Sequence, residues 1–227
     1  MGLIKLTDRV YIFPYEEERD RPNLGYILGD RWSLAVDAGH SADHVRAFYR
    51  ALEEKGLPLP ALTVLTHWHW DHTFAMHMIH GLSLANEKTD EALRAFRDRI
   101  EKEGTGFFLE MHPSIRREYS GGAAVTVVPA DMTFRGEMRL DPGGCPVRIF
   151  EAPSPHTSDC TLIEVPGEKL LFLGDADCGT FPDWVKDRNR ARALIDTIEQ
   201  TGAEKCVPGH WTVLTPAEVI RDLMKDD

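Results

Sequence analysis

The segment His67-Trp68-His69-Trp70-Asp71-His72 constrains the fold more than any other, because four side chains able to bind a metal fall within six residues. The preceding segment, 62–66, is apolar and β-branched, a pattern that predicts a buried strand. The segment 73–76 follows and could start a helix. In open α/β sheets, ligands bind at the carboxyl ends of the strands. The position therefore favours a metal site over a histidine-rich surface loop.

The spacing within this segment also favours metal binding. His67 and His69 are two residues apart, so in an extended segment their side chains point the same way. Asp71 and His72 follow as the chain turns, and they could serve a second ion. Imidazole suits zinc, iron, nickel or copper, and an added carboxylate suits hard or borderline ions.

Three polar residues later in the chain share one kind of position. His156, Asp175 and His210 each stand at the end of a predicted strand. The nearby Cys178 is interpreted as a small buried or loop cysteine, with a metal-bound thiolate as the less favoured alternative.

In chain order, these residues resemble the HxHxDH signature and the later ligands of the metallo-β-lactamase-fold hydrolases. The resemblance covers nearly the whole chain. It implies an α/β fold, a four-layer αββα sandwich in which two mixed β-sheets are flanked by helices. Two positions depart from the family pattern. Pro155 replaces the usual glycine before His156, and Trp211 stands where a second glycine is common, so the pocket edge is expected to be bulkier.

The resemblance also implies a ligand set for two divalent metal ions. His67, His69 and His156 would hold the first ion, Asp71, His72 and His210 would hold the second, and Asp175 would bridge both. Asp177 is a less favoured alternative to Asp175. Zinc is the first choice for the three-histidine site, and iron and manganese stay open.

A pair of ions of this kind would acidify a water molecule and supply hydroxide near neutral pH, which attacks a carbonyl or phosphoryl centre. Asp71 is the expected catalytic residue, since it could take and return a proton. The expected activity is hydrolysis of an ester, thioester, lactone or lactam of a small molecule. The alternatives are a mononuclear iron dioxygenase of the persulfide type, a phosphodiesterase, and a metal-binding module without catalysis. Diiron oxygen reductases fit less well, because they usually carry glutamate where His69 stands and add a flavin domain.

Composition and charge narrow the range of partners. The formal net charge is −11 and there is no basic tract, whereas nucleic-acid binding depends on lysine and arginine at phosphates. No apolar run reaches the length of a membrane span, and the segment 1–6 lacks the features of a secretory signal. The four cysteines show neither C-x-x-C nor zinc-finger spacing and are interpreted as reduced thiols. We therefore expect a single cytoplasmic domain of residues 1–227 that acts on a small molecule, with no nucleic-acid or membrane partner and an open oligomeric state.

The resemblance implies that substrate specificity lies in loops, here the segments 14–23, 104–122 and 176–188, which carry no recognised signature. Long loops often shape binding sites. Within the second of these, Phe107 and Phe108 are interpreted either as walls of the substrate pocket or as core residues, and so is Tyr119.

Two further expectations concern residues outside these motifs. His40 and His44 are expected at the surface or at a helix cap, since neither belongs to the ligand pattern. The apolar segment 125–128 predicts a strand at the start of the second half of the chain.

Overall fold

The structure is a computed structural model that describes residues 2–225, and within this range twelve strands form two mixed sheets. The expected domain of residues 1–227 thus includes residues 1, 226 and 227, which lie outside the described residues. The seven strands of the first sheet follow one another in space as they do in the chain. They are β1 (Ile4–Lys5), β2 (Val10–Phe13), β3 (Leu24–Leu28), β4 (Ser33–Val36), β5 (Leu62–Val64), β6 (Leu82–Asn86) and β7 (Met132–Phe134).

The second sheet has five strands. They are β8 (Glu137–Leu140), β9 (Val147–Glu151), β10 (Thr161–Val165), β11 (Leu170–Gly174) and β12 (Lys205–Pro208). Their spatial order is β12-β11-β10-β9-β8, and β11 runs parallel to β12 while the other neighbours are antiparallel. In the first sheet, β1 to β4 are antiparallel and β4 to β7 are parallel. Both sheets are therefore mixed, as the sequence predicted.

Seven α-helices accompany these strands in the described part of the chain. They are α1 (Ala42–Glu54), α2 (Trp70–Thr73), α3 (Glu87–Glu103), α4 (Gly106–Leu109), α5 (Pro113–Glu118), α6 (Arg188–Thr201) and α7 (Pro216–Leu223). Capping residues in the sequence explain where two of these helices begin. The side chain of Ser41 caps α1 by accepting a hydrogen bond from the backbone of His44, and Thr215 and Glu218 form a capping box at α7.

The main core lies between the two sheets. Ile27 and Val64 of the first sheet pack in one buried cluster with Ile163 and Phe172 of the second. Gly25 allows this close packing, because a Cβ there would lie 2.6 Å from the ring of Phe172. A face-to-face pair of sheets buries one face of each strand, which accounts for the alternation of apolar residues.

The helices cover the outer faces of both sheets. Phe48 of α1 packs with Tyr26 on the outer face of the first sheet. Leu194 of α6 and Val219 of α7 pack against Leu171 of the second sheet. The expected four-layer αββα sandwich is thus confirmed.

The predicted strand at 125–128 is wrong. Residues 123–130 form no regular element, although Val127 is buried against the helices. The backbone N–H of Ala130 donates to the carboxylate of Asp90 on α3 instead of joining a sheet. An apolar run shows that a segment is buried, but it does not show whether a strand is beside it.

The expected surface position of His40 and His44 is also wrong, because both side chains are fully buried. The segment 16–21 lies over His40, whose Nδ1 atom is 3.0 Å from the backbone oxygen of Arg19, and the ring of His44 packs against Phe13 of β2. Phe107, Phe108 and Tyr119 have two interpretations from the sequence, as walls of the substrate pocket or as core residues. Phe108 and Tyr119 are buried in the core beside α3, which favours core packing for these two.

Candidate metal centre

The candidate ligands come from both sheets and meet at one edge of the sandwich. The segment of His67 to His72 follows β5 and includes the first three residues of α2, so this helix starts earlier than the sequence suggested. Asp175 follows β11 directly, and His210 lies two residues after β12. His156 stands in the loop after β9. The carboxyl ends of these strands therefore bring together residues that lie far apart in the chain.

The first cluster consists of His67, His69 and His156, whose ligand atoms all lie within 4.8 Å of one another. The Nε2 atom of His156 is 2.9 Å from the Nδ1 atom of His69. Burial and the neighbouring histidines hold the pKa of His67 well below its usual range, and they lower the pKa of His69 to about 3. These two rings are therefore neutral near pH 7, the form that binds a metal.

The second cluster consists of Asp71, His72, Asp175 and His210, whose ligand atoms also lie within 4.8 Å of one another. The Oδ2 atom of Asp71 is 2.9 Å from Nε2 of His210 and 3.1 Å from Nε2 of His72. Burial alone would lower the pKa of both histidines, but the carboxylates of Asp71 and Asp175 outweigh it and raise each pKa well above its usual value. Burial alone would raise the pKa of the carboxyl groups of Asp71 and Asp175, but the neighbouring His72 and His210 hold each pKa well below its usual range.

Asp175 lies between the two clusters. Its Oδ1 atom is 3.4 Å from Nε2 of His72, and its Oδ2 atom is 3.5 Å from Nε2 of His210. The same Oδ2 atom is 3.8 Å from Nε2 of His156 in the first cluster. One carboxylate thus faces ligand atoms of both clusters.

Outer hydrogen bonds fix the orientation of three histidine rings. The Nδ1–H of His72 donates to Oδ2 of Asp37 at 2.7 Å, and the Nδ1–H of His156 donates to the backbone oxygen of Gly179 at 2.7 Å. The hydroxyl of Thr66 donates to Asp37 and lies 3.1 Å from Nδ1 of His67. These bonds leave the three Nε2 atoms directed into the clusters.

Sequence reasoning missed Asp37 and Thr66 as functional residues. Asp37 adopts a left-handed backbone conformation with φ 65°, and its side chain accepts the backbone N–H of Thr66 at 2.8 Å. The available signal was its position, because Asp37 follows β4 directly and β4 pairs in parallel with β5. The carboxyl ends of these two strands are neighbours, so a carboxylate there lies beside the ligand segment.

The residues present fit bound metal ions. Among the residues that the structure describes, the Nε2 atoms of His67 and His72 and the Oδ1 atom of Asp175 are buried without a hydrogen-bond partner. Buried polar atoms without partners are costly in a folded protein. These three atoms lie in the two ligand clusters, where divalent metal ions would satisfy them, since imidazole nitrogen and carboxylate oxygen are common ligands.

Neighbouring candidates stay outside the clusters. Asp177 is buried, and burial together with the negative charge of Asp175 raises its pKa to about 7. His77 and His80 are exposed and lie outside both groups. Cys178 is likewise in neither group.

Comparison with known proteins agrees with this geometry. The family model of the metallo-beta-lactamase superfamily matches residues 23–210. The acyl-coenzyme A thioesterase MBLAC2 of Gallus gallus is 23% identical over 240 residues, which covers 97% of this chain and 81% of that protein.

Solved structures show the same fold. The crystal structure of DIM-1 metallo-beta-lactamase superposes with a TM-score of 0.69 at 17% identity and covers 98% of this chain and 96% of its own. The metallo-beta-lactamase from Pontibacter korlensis gives a TM-score of 0.70 at 15% identity and covers 99% of both chains.

Fold and site together define a hydrolase with histidine and aspartate clusters for divalent metal. The chain belongs to the metallo-beta-lactamase superfamily, as its match over residues 23–210 shows. Among the described residues, no helix has both the length and the apolar character needed to cross a membrane.

Proposed function

We propose that this hydrolase binds two divalent metal ions, with zinc as the first choice, and cleaves an acyl thioester of a small molecule. The observation that carries the proposal is the placement of Asp175, whose carboxylate faces the first cluster and forms part of the second. The assigned ligands are His67, His69 and His156 for one ion, Asp71, His72 and His210 for the other, and Asp175 for both.

Ions held in such a pair supply a strongly acidified water molecule as nucleophile and polarise the carbonyl oxygen of the substrate. The chain's own contribution is to hold these groups and to move a proton. Asp71 is assigned the proton-transfer role, because it is buried at the junction of His72 and His210 and is ionised near neutral pH. It would accept a proton from the attacking water and return it to the thiolate that leaves, which gives an acid and a thiol.

The thioester is chosen from the wider group of esters, lactones and lactams because the relative from Gallus gallus is named an acyl-coenzyme A thioesterase. The structural neighbours named as lactamases share the fold, and a shared fold does not determine the substrate. A net charge of −11 supports a small molecule over a nucleic acid as the substrate.

Metal analysis combined with a substrate panel tests the proposal. Purified protein is loaded with zinc, iron or manganese and assayed on thioester, lactone, β-lactam and phosphodiester substrates, with oxygen uptake measured in parallel. We expect two ions per chain and hydrolysis of thioesters. One iron per chain with oxygen uptake would favour the persulfide-type dioxygenase instead.

Two substitutions connect the ligands to the activity. His69→Ala removes a ligand of the first cluster, and Asp175→Ala removes the carboxylate between the clusters. Each is expected to lower both metal content and turnover severely, whereas the exposed His77→Ala should change neither. Full turnover in either ligand variant would contradict the proposal.

A further inference from the structure

The segment 179–185 forms a closed turn that is attached to the first cluster. The backbone N–H of Thr180 donates to Val185 at 3.0 Å, and that of Trp184 donates to the oxygen of Thr180 at 2.7 Å. The Thr180 hydroxyl donates to the backbone oxygen of Pro155 at 2.8 Å. Since His156 donates to the backbone of Gly179 as well, the turn and the ligand loop are held together at two points.

The backbone of this turn holds Trp184 in an unusual conformation. Trp184 has φ 56°, in the left-handed region that residues other than glycine rarely adopt. A Cβ on Gly179 would overlap the carbonyl oxygen of Trp184, so the two backbones can approach only because Gly179 has no side chain. Strained conformations of this kind cluster at ligand-binding and active sites, which directs attention to the indole.

Aromatic contacts hold the indole beside the first cluster. The ring of Trp184 stacks on the ring of His156 with an interplanar angle of 12° and centroids 6.1 Å apart. Phe181 meets the indole edge-on at 5.7 Å and contacts Trp70 at 5.4 Å. Trp70 in turn stacks on His69 at 5.1 Å. The position of Trp184 is therefore fixed relative to two histidines of the first cluster.

Despite these contacts, Trp184 is 51% exposed. Packing of the core does not require a half-exposed indole, and the hydrophobic effect disfavours leaving one in water. The exposed surface is apolar, and the charged residue between Phe181 and Trp184 is Asp183, which is also exposed. An alkyl chain placed there would bury apolar area against the indole.

We propose that Trp184 is a specificity-determining residue that binds the apolar acyl chain of the substrate next to the first cluster. The inference rests on the proposed thioester hydrolysis and names the part of the substrate that this turn recognises. Each methylene group buried on the indole would raise kcat/KM about fourfold. An octanoyl group would therefore gain about 10- to 100-fold over an acetyl group when two or three methylene groups are covered.

The test compares acetyl, butyryl and octanoyl thioesters of one small thiol, N-acetylcysteamine, with metal-loaded protein. Trp184→Ala is expected to lower kcat/KM for the octanoyl thioester about 10- to 100-fold while the acetyl value stays within about twofold. Trp184→Phe should keep most of the chain-length preference. Val185→Ala is the matched control, because it removes an exposed apolar side chain from the same turn. Metal content, thermal unfolding and sedimentation are measured for every variant, and the acetyl and octanoyl thioesters of a second small thiol are assayed in parallel.

Several results would overturn the inference. Equal losses on acetyl and octanoyl substrates with reduced metal content would show that Trp184 only supports His156. If Trp184→Ala changed the preference for the thiol at constant acyl chain, the indole would bind another part of the substrate. If the variant changed only the sedimentation, the indole would bind a second copy of the chain. An unchanged chain-length profile in Trp184→Ala would also refute it.

Failure of the proposed function can be separated from failure of this inference. If the wild type cleaves no thioester, the proposed function fails, and binding of acetate and octanoate to the metal-loaded protein is measured by calorimetry instead. A loss of octanoate affinity in Trp184→Ala, but not in Val185→Ala, would then support an apolar-chain site, and equal affinities would contradict it.

Discussion

Asp37 connects both clusters to one side chain, so its replacement by asparagine is an informative perturbation. Its Oδ1 atom accepts the backbone N–H of Thr66 at 2.8 Å, and its Oδ2 atom accepts Nδ1–H of His72 at 2.7 Å. In Asp37→Asn, the amide oxygen can keep the bond to the Thr66 backbone, which places the NH₂ group opposite His72. Two donors then face each other. In its neutral form, which is the form that binds a metal, the ring of His72 can restore a bond only by moving its proton from Nδ1 to Nε2.

A proton on Nε2 of His72 blocks the atom that faces the second cluster. Loss of an outer partner of this kind typically lowers metal affinity 10- to 100-fold. That range corresponds to about 1.4–2.7 kcal/mol for the second ion. The first ion should be affected less, because Asp37 reaches His67 only through the hydroxyl of Thr66. Asparagine tolerates the left-handed backbone at position 37, so the metal-free protein should keep its fold.

The assay is titration of the metal-free protein against a competing chelator, which yields a dissociation constant for each ion. Asp131→Asn is the matched control. Asp131 accepts both the backbone N–H and the hydroxyl of Ser83, at 2.8 and 2.7 Å, which repeats the bonds of Asp37 to Thr66 outside both clusters. If Asp37→Asn bound the second ion as tightly as the wild type, or if both variants lost affinity equally, the assignment of Asp37 would be refuted.

Two predictions concern charge. The pKa values of His72 and His210 are raised, so both are protonated near neutral pH in the metal-free protein, and the second ion must displace these protons. Calorimetry in buffers of different ionisation enthalpy should show that binding of the second ion releases more protons than binding of the first. The affinity for the second ion should rise as the pH rises towards the raised pKa values. Equal proton release by the two ions would contradict this prediction. Glu118→Ala should lower the free energy of unfolding by about 2–3 kcal/mol in urea, because the fully buried carboxylate binds Arg21 and Ser41 and the arginine keeps some exposure to water. A change below about 0.5 kcal/mol, typical of surface substitutions, would show that this pair contributes little.

The sequence by itself determined the elements whose signals are local. Apolar periodicity and capping residues predict helices at 41–55, 87–103, 187–201 and 216–224, and α1, α3, α6 and α7 match these ranges to within one residue at each end. These signals lie within the helices themselves or directly beside them. The ligand motif could also be recognised in the sequence, since His67 to His72 form one short run after an apolar strand. The two mixed sheets followed from the resemblance that this motif carried.

Only the tertiary structure decided which residues surround the clusters. His40 is buried because the distant segment 16–21 covers it, and His44 is buried against Phe13 of β2. Nothing in their own neighbourhood indicates this. Asp37 lies beside His72 because β4 and β5 pair in parallel, and Trp184 lies beside His156 because a turn after β11 contacts the loop after β9. Pattern and propensity describe interactions between residues close in the chain. Contacts between residues 28 to 35 positions apart, such as these two, depend on how the strands pair and how the loops pack.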